Sequence, residues 1–133
     1  MADSMKIGYF PHYVNARDDI GLQKLDAVYG KAVGYGHYFI LLEQIYQTNS
    51  PVLDLSDRLT TEIVAKAHEW EPEELIDFVE TCVKFDVFSK EMWDCYQHVT
   101  SDLLCETFNT MAAKKRAGKA GGRPRKADEK AGA

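Results

Sequence analysis

The chain has 133 residues, 45% of them hydrophobic, which is enough for one domain with a modest core and too many for a disordered chain. Residues 1–113 carry 8 Lys/Arg against 19 Asp/Glu, a net of −11, whereas residues 114–133 carry 8 against 2, a net of +6. No apolar run approaches the roughly 20 residues of a membrane span, and the three cysteines form no CxxC pair. We therefore expect a cytoplasmic protein with free thiols and no membrane contact.

The first predicted elements are an aromatic entry segment, which begins with Tyr9-Phe10-Pro11-His12 and extends to Asp19, and a short helix. Pro11 favours an extended backbone at Phe10. Asn15 stands three residues before Asp18, a spacing typical of a helix start. Apolar residues then recur every three to four positions, which predicts a helix that ends at Gly30.

A stronger second helix is predicted over residues 31–47, where the apolar positions form a wide face. Gly34 and Gly36 lie inside it. Because glycine disfavours a helix interior, we expect a close helix–helix contact to require both. Residues 52–55 follow a turn and are predicted to form one short strand.

Two further helices are predicted over residues 57–69 and 72–84, separated by a turn. The third helix is expected to direct Leu59 and Ile63 inward, together with Val64 and Ala67. Pro72 suits the first position of the fourth helix.

The last predicted elements are a short extended piece at Val87-Phe88 and two helices. Apolar residues after Ser89 recur about every four positions, so this stretch favours a short helix over a wing hairpin. Thr100-Ser101 is expected to cap the final helix, whose apolar pattern ends at Met111. Glycines and a proline follow, and a tail over residues 114–133 is predicted to be disordered.

The order of these elements predicts the fold class. Helix, strand, helix, turn, helix and extended piece is the layout of a winged helix-turn-helix, although other small helical bundles share it. We expect a mainly α (α+β) winged-helix-like domain over residues 9–113 with minimal strands, followed by a basic, Gly/Lys/Arg-rich tail.

Several groups of residues resemble the opening of a phage and prophage domain family of unknown function. They are Tyr9-Phe10-Pro11-His12, Asn15-Ala16-Arg17-Asp18-Asp19, Tyr29-Gly30, Gly34-Tyr35-Gly36 and Leu42-Glu43. That domain stands at the N-terminus of replication-initiation or replisome-organiser-like proteins and is similar to the winged-helix N-terminal domain of DnaD-type proteins. The resemblance covers residues 9–122 and implies a winged-helix fold, a replication context and oligomerisation. Ile20-Gly21 departs from the family pattern, and longer relatives continue into a second domain.

Two surfaces of the folded domain over residues 9–113, which we call the body, are candidates for partner binding. The fourth helix stands where a winged-helix protein places its recognition helix, but its outer face is acidic and repels phosphates. We expect it to meet a basic partner or the basic tail through Glu73, Glu74, Asp77 and Glu80. The entry segment is either a self-association arm, which the resemblance favours, or a local cap and salt-bridge cluster. Its candidate residues are Tyr9, Phe10, Tyr13 and Arg17.

The basic tail is the candidate for DNA binding. Non-specific contact with phosphates would use Lys114, Lys115, Arg116, Lys119, Arg123, Arg125, Lys126 and Lys130. A sharper alternative is an AT-hook-like insertion of Gly122-Arg123-Pro124-Arg125 into a narrow A·T minor groove, although glycine precedes this string where arginine would strengthen it. A tail that only aids solubility is the remaining interpretation.

Catalytic and metal sites are not indicated. The four histidines are scattered and none pairs with another at i+4, and the glycines near residue 34 lack the strand and Lys-Ser/Thr of a phosphate loop. We expect no enzymatic activity, metal, cofactor or small-molecule substrate.

The sequence favours a phage-type DNA-replication accessory module whose body oligomerises or docks on a replisome protein while its tail binds DNA. The alternative is an adaptor or inhibitor that presents an acidic face to a basic, nucleic-acid-binding partner. An operator-binding regulator would need a basic groove-facing helix, which the fourth helix does not provide.

Overall fold

The structure, a computed structural model, describes residues 8–119. Within them lie six α-helices: α1 (Ile20–Tyr29), α2 (Val33–Gln47), α3 (Arg58–Ala67), α4 (Pro72–Lys84), α5 (Lys90–Tyr96) and α6 (Asp102–Lys119). A 3₁₀ turn at Ala16–Asp18 precedes α1. Two short strands, β1 (Leu53–Asp54) and β2 (His98–Val99), pair antiparallel with Leu53 opposite Val99.

These elements share one hydrophobic core. In it, α1 packs on α2 and α3 packs on α4. Its largest fully buried side chains are Phe78, Leu25, Leu41, Ile45, Leu75, Val79 and Val99. The predicted fold class is confirmed: the domain is mainly helical, with a minimal two-stranded sheet and the helix–turn–helix order of α3 and α4.

The second strand lies elsewhere than predicted. Val87-Phe88 is a bend, where the Val87 amide donates to the carbonyl of Cys82 at 2.9 Å and Asp86 takes a left-handed φ of 62°. The extended piece is His98–Val99, which follows α5 and joins β1. The short helix capped by Ser89 is confirmed, since its Oγ accepts from the Met92 amide at 3.2 Å.

The inward face of α3 also differs from the prediction. Leu59 and Ile63 are 63% and 65% exposed, and Ala67 is also exposed, so only Val64 is buried as predicted. Thr61 and His68 are buried as well. A threonine can face inward here because its hydroxyl donates to the carbonyl of Leu55 at 3.1 Å. The buried polar group is therefore hydrogen-bonded and costs little.

Only one of the two α2 glycines meets a close neighbour. A Cβ at Gly34 would lie 2.6 Å from the carbonyl carbon of Leu25, so α1 and α2 approach each other there. A Cβ at Gly36 would meet nothing within 4 Å. The expectation that packing requires both glycines is correct for Gly34 and wrong for Gly36.

Helix α6 continues to Lys119, six residues beyond the predicted end of the folded body at residue 113. Residues 114–119 are thus helical in the structure, where the sequence predicts the start of the tail. Alanine, lysine and arginine fill positions 112–117, and their high helix propensity sustains the helix after its last core contacts at Met111 and Ala112. None of the helices in residues 8–119 is both long enough and apolar enough to span a membrane.

Candidate functional site

The entry segment packs across the aromatic side of α2. The Phe10 ring stacks on Tyr46, with centroids 5.1 Å apart and planes within 4°. The His12 ring stacks on Phe39 at 3.8 Å, and its Nε2 lies 2.6 Å from the hydroxyl of Tyr35. The segment is thus attached to its own chain mainly by ring contacts.

Arg17 is also engaged within the chain. Its guanidinium lies 3.5 Å from a carboxylate oxygen of Asp26 and 4.5 Å from the centre of the Tyr35 ring. Of the four partner-binding candidates in this segment, Phe10 and Arg17 therefore have intramolecular contacts. Tyr9 and Tyr13 are 75% and 58% exposed and remain accessible to a partner.

A groove of about 770 Å³ lies between the entry segment, α2, the bend after α4 and the start of α6. We call it the arm groove. The large apolar and aromatic side chains that line it are Phe10, Tyr13, Leu22, Tyr38, Phe39, Leu42, Tyr46, Val87, Phe88, Leu103 and Leu104. Burial raises the pKa of the Tyr38 hydroxyl, which stays neutral at physiological pH.

Charged groups on the lining of the arm groove are mostly acidic. They are Asp18, Asp19, Asp86, Asp102 and Lys90. Asp19 caps α1 by accepting from the Leu22 amide at 3.1 Å, and Lys90 forms an ion pair with Asp94. The other three carboxylates are exposed and form no hydrogen bond or ion pair with residues 8–119.

The acidic face of α4 has more local partners than the sequence indicated. Glu73 pairs with Arg58 at 3.2 Å, and Glu74 accepts from the Glu71 amide at 3.0 Å in a capping box. Asp77 accepts a hydrogen bond from the hydroxyl of Tyr29 at 3.2 Å. Glu80 is exposed and has no such partner in the described residues. Three of these four candidates thus stabilise the helix or its contact with α1 and α3.

The described part of the predicted DNA-binding set lies on the end of α6. Lys114, Lys115 and Arg116 are all exposed. Successive helical residues are about 100° apart, so these three cations point in different directions around the axis. Lys119 is the last residue of the helix. The candidates Arg123, Arg125, Lys126 and Lys130, and the AT-hook-like string, lie outside the described residues.

A histidine pair joins α2 to the end of α3, and sequence reasoning missed it. The Nδ1 atoms of His37 and His68 are 2.8 Å apart, and His68 Nε2 lies 2.9 Å from Oε1 of Gln44. Gln44 donates its own amide group to the carbonyl of Val64, which leaves Oε1 to accept from His68. His68 Nδ1 is then an acceptor and His37 donates to it.

Burial is the main reason why the histidine pair stays neutral. It lowers the pKa of His68 to about 4, with a further contribution from His37, and it lowers the pKa of His37 as well. The His37 ring also stacks on Trp70 at 4.0 Å. Spacing gave no signal for this pair, because 31 residues separate its members.

The thiols show no arrangement for catalysis. Cys82 is buried, and burial raises its thiol pKa, which keeps it protonated. Cys95 is exposed and Cys105 is half-buried, and all three are free. Within the described part of the chain, no three His, Cys, Asp or Glu side chains are grouped closely enough to hold a metal ion.

The fold and these surfaces define a small, mainly helical domain with a helix–turn–helix core. It has a groove lined by apolar side chains and carboxylates, and a helix with a basic end. The chain belongs to the Lin1244/Lin1753-like N-terminal domain family, a phage- and prophage-type family whose model matches residues 9–104. No curated protein and no solved structure matches the chain. The arm groove is built almost entirely from the matched range, whereas the basic end of α6 lies beyond it.

Proposed function

We propose that this protein is a phage-type DNA-replication accessory module, related in role to the DnaD-like winged-helix domains. The body docks on itself or on a replisome protein, and the basic C-terminal region binds DNA without base specificity. The segregation of charge supports this division, because the cations are concentrated after residue 113 and the acids before it.

The observation that carries the proposal is the basic end of α6. Among the residues up to 118, for which burial is described, Ala112 is the last buried one, and residues 113–118 are all exposed. At 1.5 Å per residue, the helix extends about 10 Å beyond Ala112. Lys114, Lys115 and Arg116 lie about 3–6 Å along the helix axis beyond Ala112, and their exposed side chains are open to a phosphate backbone.

The surface of α4 supports the same division of roles. Its outer carboxylates, Glu73, Glu74, Asp77 and Glu80, oppose the approach of a duplex. Docking of the body on a partner would bring several weak helix ends onto one DNA molecule, and multivalency would raise the overall affinity without new contacts.

The experiment compares two triple variants of the full chain that remove the same charge. One is Lys114→Gln/Lys115→Gln/Arg116→Gln, and the other is Lys31→Gln/Lys66→Gln/Lys84→Gln on exposed sites of the body. Fluorescence anisotropy measures binding to a labelled duplex between about 50 and 200 mM salt. We expect the α6 variant to reduce affinity and to lower the slope of log K against log salt by about 3, while the body variant remains close to wild type.

Equal effects of the two variants would show that net charge, and not the end of α6, governs binding. Absence of DNA binding by the wild type at low salt would overturn the DNA-binding role itself.

An adaptor or inhibitor that binds a basic partner is the second candidate, favoured by the three carboxylates of the arm groove that lack partners in residues 8–119. A stable complex with a basic protein, formed by a chain that does not bind DNA at low salt, would support this role over the first.

A further inference from the structure

We propose that the arm groove is a docking site for a partner segment that carries large apolar residues on one face and Lys or Arg beside them. This inference rests on the proposed role of the body as a docking unit and identifies the surface and the chemistry of its partner.

The floor of the arm groove offers apolar side chains for contact with the partner segment. Leu42 and Tyr46 are buried beneath it, while Tyr38 and Phe39 are only half-buried. Tyr13 and Leu103 are 58% and 62% exposed on its lining. A helix with apolar residues at i, i+3, i+4 and i+7 is the common occupant of such a groove.

The carboxylates on the lining offer negative charge for contact with basic side chains of the partner segment. Asp18, Asp86 and Asp102 come from the 3₁₀ turn, the bend after α4 and the first turn of α6, and thus from three different parts of the fold. Lys90 is engaged by Asp94 and neutralises little of this charge. Such a surface attracts cationic side chains and repels phosphates, so a basic segment is favoured and a nucleic acid is not.

The chain's own basic helix end does not match the apolar floor. Residues 114–118 are Lys, Lys, Arg, Ala and Gly, and none of these has a large apolar side chain. Residues 119–133 contain no large apolar residue either, so the basic C-terminal region is not the occupant, which is assigned to a segment of another protein that combines both properties.

The test uses the full chain and two labelled synthetic helical peptides with the same pattern, one of Leu and Lys and one of Leu and Glu. We expect the Leu/Lys peptide to bind and the Leu/Glu peptide not to bind in fluorescence anisotropy. Asp18→Asn/Asp86→Asn/Asp102→Asn should weaken binding about tenfold or more. The matched control, Glu62→Gln/Glu80→Gln/Glu91→Gln, removes the same charge from exposed sites that do not line the groove and should retain affinity within about twofold.

Two pairs of single variants test the apolar contacts. Tyr13→Ala and Leu103→Ala should each weaken peptide binding about fivefold. Tyr96→Ala and Leu59→Ala should not, although these residues are equally exposed, at 57% and 63%. Circular dichroism of each variant confirms that the fold is retained.

Several results would overturn the inference. One is that the Leu/Lys peptide does not bind. Another is that the triple variant of the groove and the triple control variant lose the same affinity for this peptide. A third is a wild-type homodimer in light scattering that the groove triple converts to monomer, since the occupant would then be a second copy. DNA binding is measured on the same samples. If the protein binds DNA but not the peptide, only the proposed groove is rejected. If it binds the peptide but not DNA, only the proposed DNA-binding role is rejected.

Discussion

Gly34 and Gly36 stand two residues apart in α2 and have opposite surroundings. Gly34 faces the backbone of Leu25, whereas Gly36 faces open space. We predict that Gly34→Ala destabilises the protein by about 2–3 kcal/mol, because its Cβ forces α1 and α2 apart. Gly36→Ala should stabilise it by about 0.5–1 kcal/mol, because alanine loses less conformational entropy in a helix. Urea unfolding of both variants measures these changes.

The two substitutions add the same methyl group to the same helix, so each is the control of the other. Equal effects on the unfolding free energy would contradict the packing of α1 on α2 described here.

His68 gives the protein a pH-dependent stability. Burial lowers its pKa in the folded state to about 4, whereas the unfolded chain binds a proton near pH 6.5. Between these values the unfolded state holds the extra proton, so stability is complete above pH 6.5 and decreases as the pH falls toward 4. The expected loss is on the order of 3 kcal/mol.

Two measurements check this prediction. Urea unfolding between pH 4 and 7 gives the loss, and the slope should become smaller in His68→Gln, which does not titrate. An NMR titration of the folded protein in which the His68 ring takes up its proton near pH 6.5 would contradict it.

At the scale of elements, periodic apolar residues predicted all six helices, but on α3 they did not predict which side faces inward. On α3 the apolar pattern placed Leu59 and Ile63 inside, yet both are exposed. Thr61 and His68 are buried instead, and each forms a hydrogen bond outside α3, Thr61 to the carbonyl of Leu55 and His68 to the side chain of Gln44. A sequence pattern that treats polar residues as external cannot anticipate such pairs, because the partners exist only in the folded chain.

The sequence predicted the candidate site only in part. Composition identified the basic residues of α6 and the acidic face of α4. The arm groove was not predicted, because residues far apart in sequence, such as Asp18 and Asp102, meet there only through tertiary packing. The two-residue β2 was also missed, since such a short strand has no periodicity to detect.

Helix α5 ends in a strained residue. Gln97 closes the helix with a left-handed φ of 56°, and its amide donates to the carbonyl of Trp93 at 2.8 Å. We predict that Gln97→Gly stabilises the protein by up to about 1 kcal/mol, because glycine adopts this conformation without a Cβ penalty. Differential scanning calorimetry should show a higher Tm.

Gln47→Gly is the matched control for this substitution. Gln47 is the last residue of α2 and is exposed, and glycine there should lower stability by up to about 1 kcal/mol. Destabilisation by both glycines would show that the backbone at Gln97 is not strained.

At the scale of the whole molecule, the charge of the body makes its stability depend on salt. Residues 1–113 have a net charge of −11, and self-repulsion of like charges opposes the compact state. The described residues contain three ion pairs between permanently charged side chains against this repulsion: Arg17–Asp26, Arg58–Glu73 and Lys90–Asp94. Exposed pairs of this kind contribute little to stability.

Added NaCl screens both the repulsion and these pairs. Because the unbalanced acids outnumber the pairs, we predict that raising NaCl from about 10 to 150 mM stabilises the protein by about 1 kcal/mol, or about 4 °C in Tm. Chloride is the appropriate anion, since sulfate would also strengthen apolar burial. Lys31→Gln/Lys66→Gln/Lys84→Gln makes the body more acidic and should increase the salt response. A Tm that falls as NaCl is added would mean that attractive pairs, and not repulsion, dominate the electrostatics of the fold.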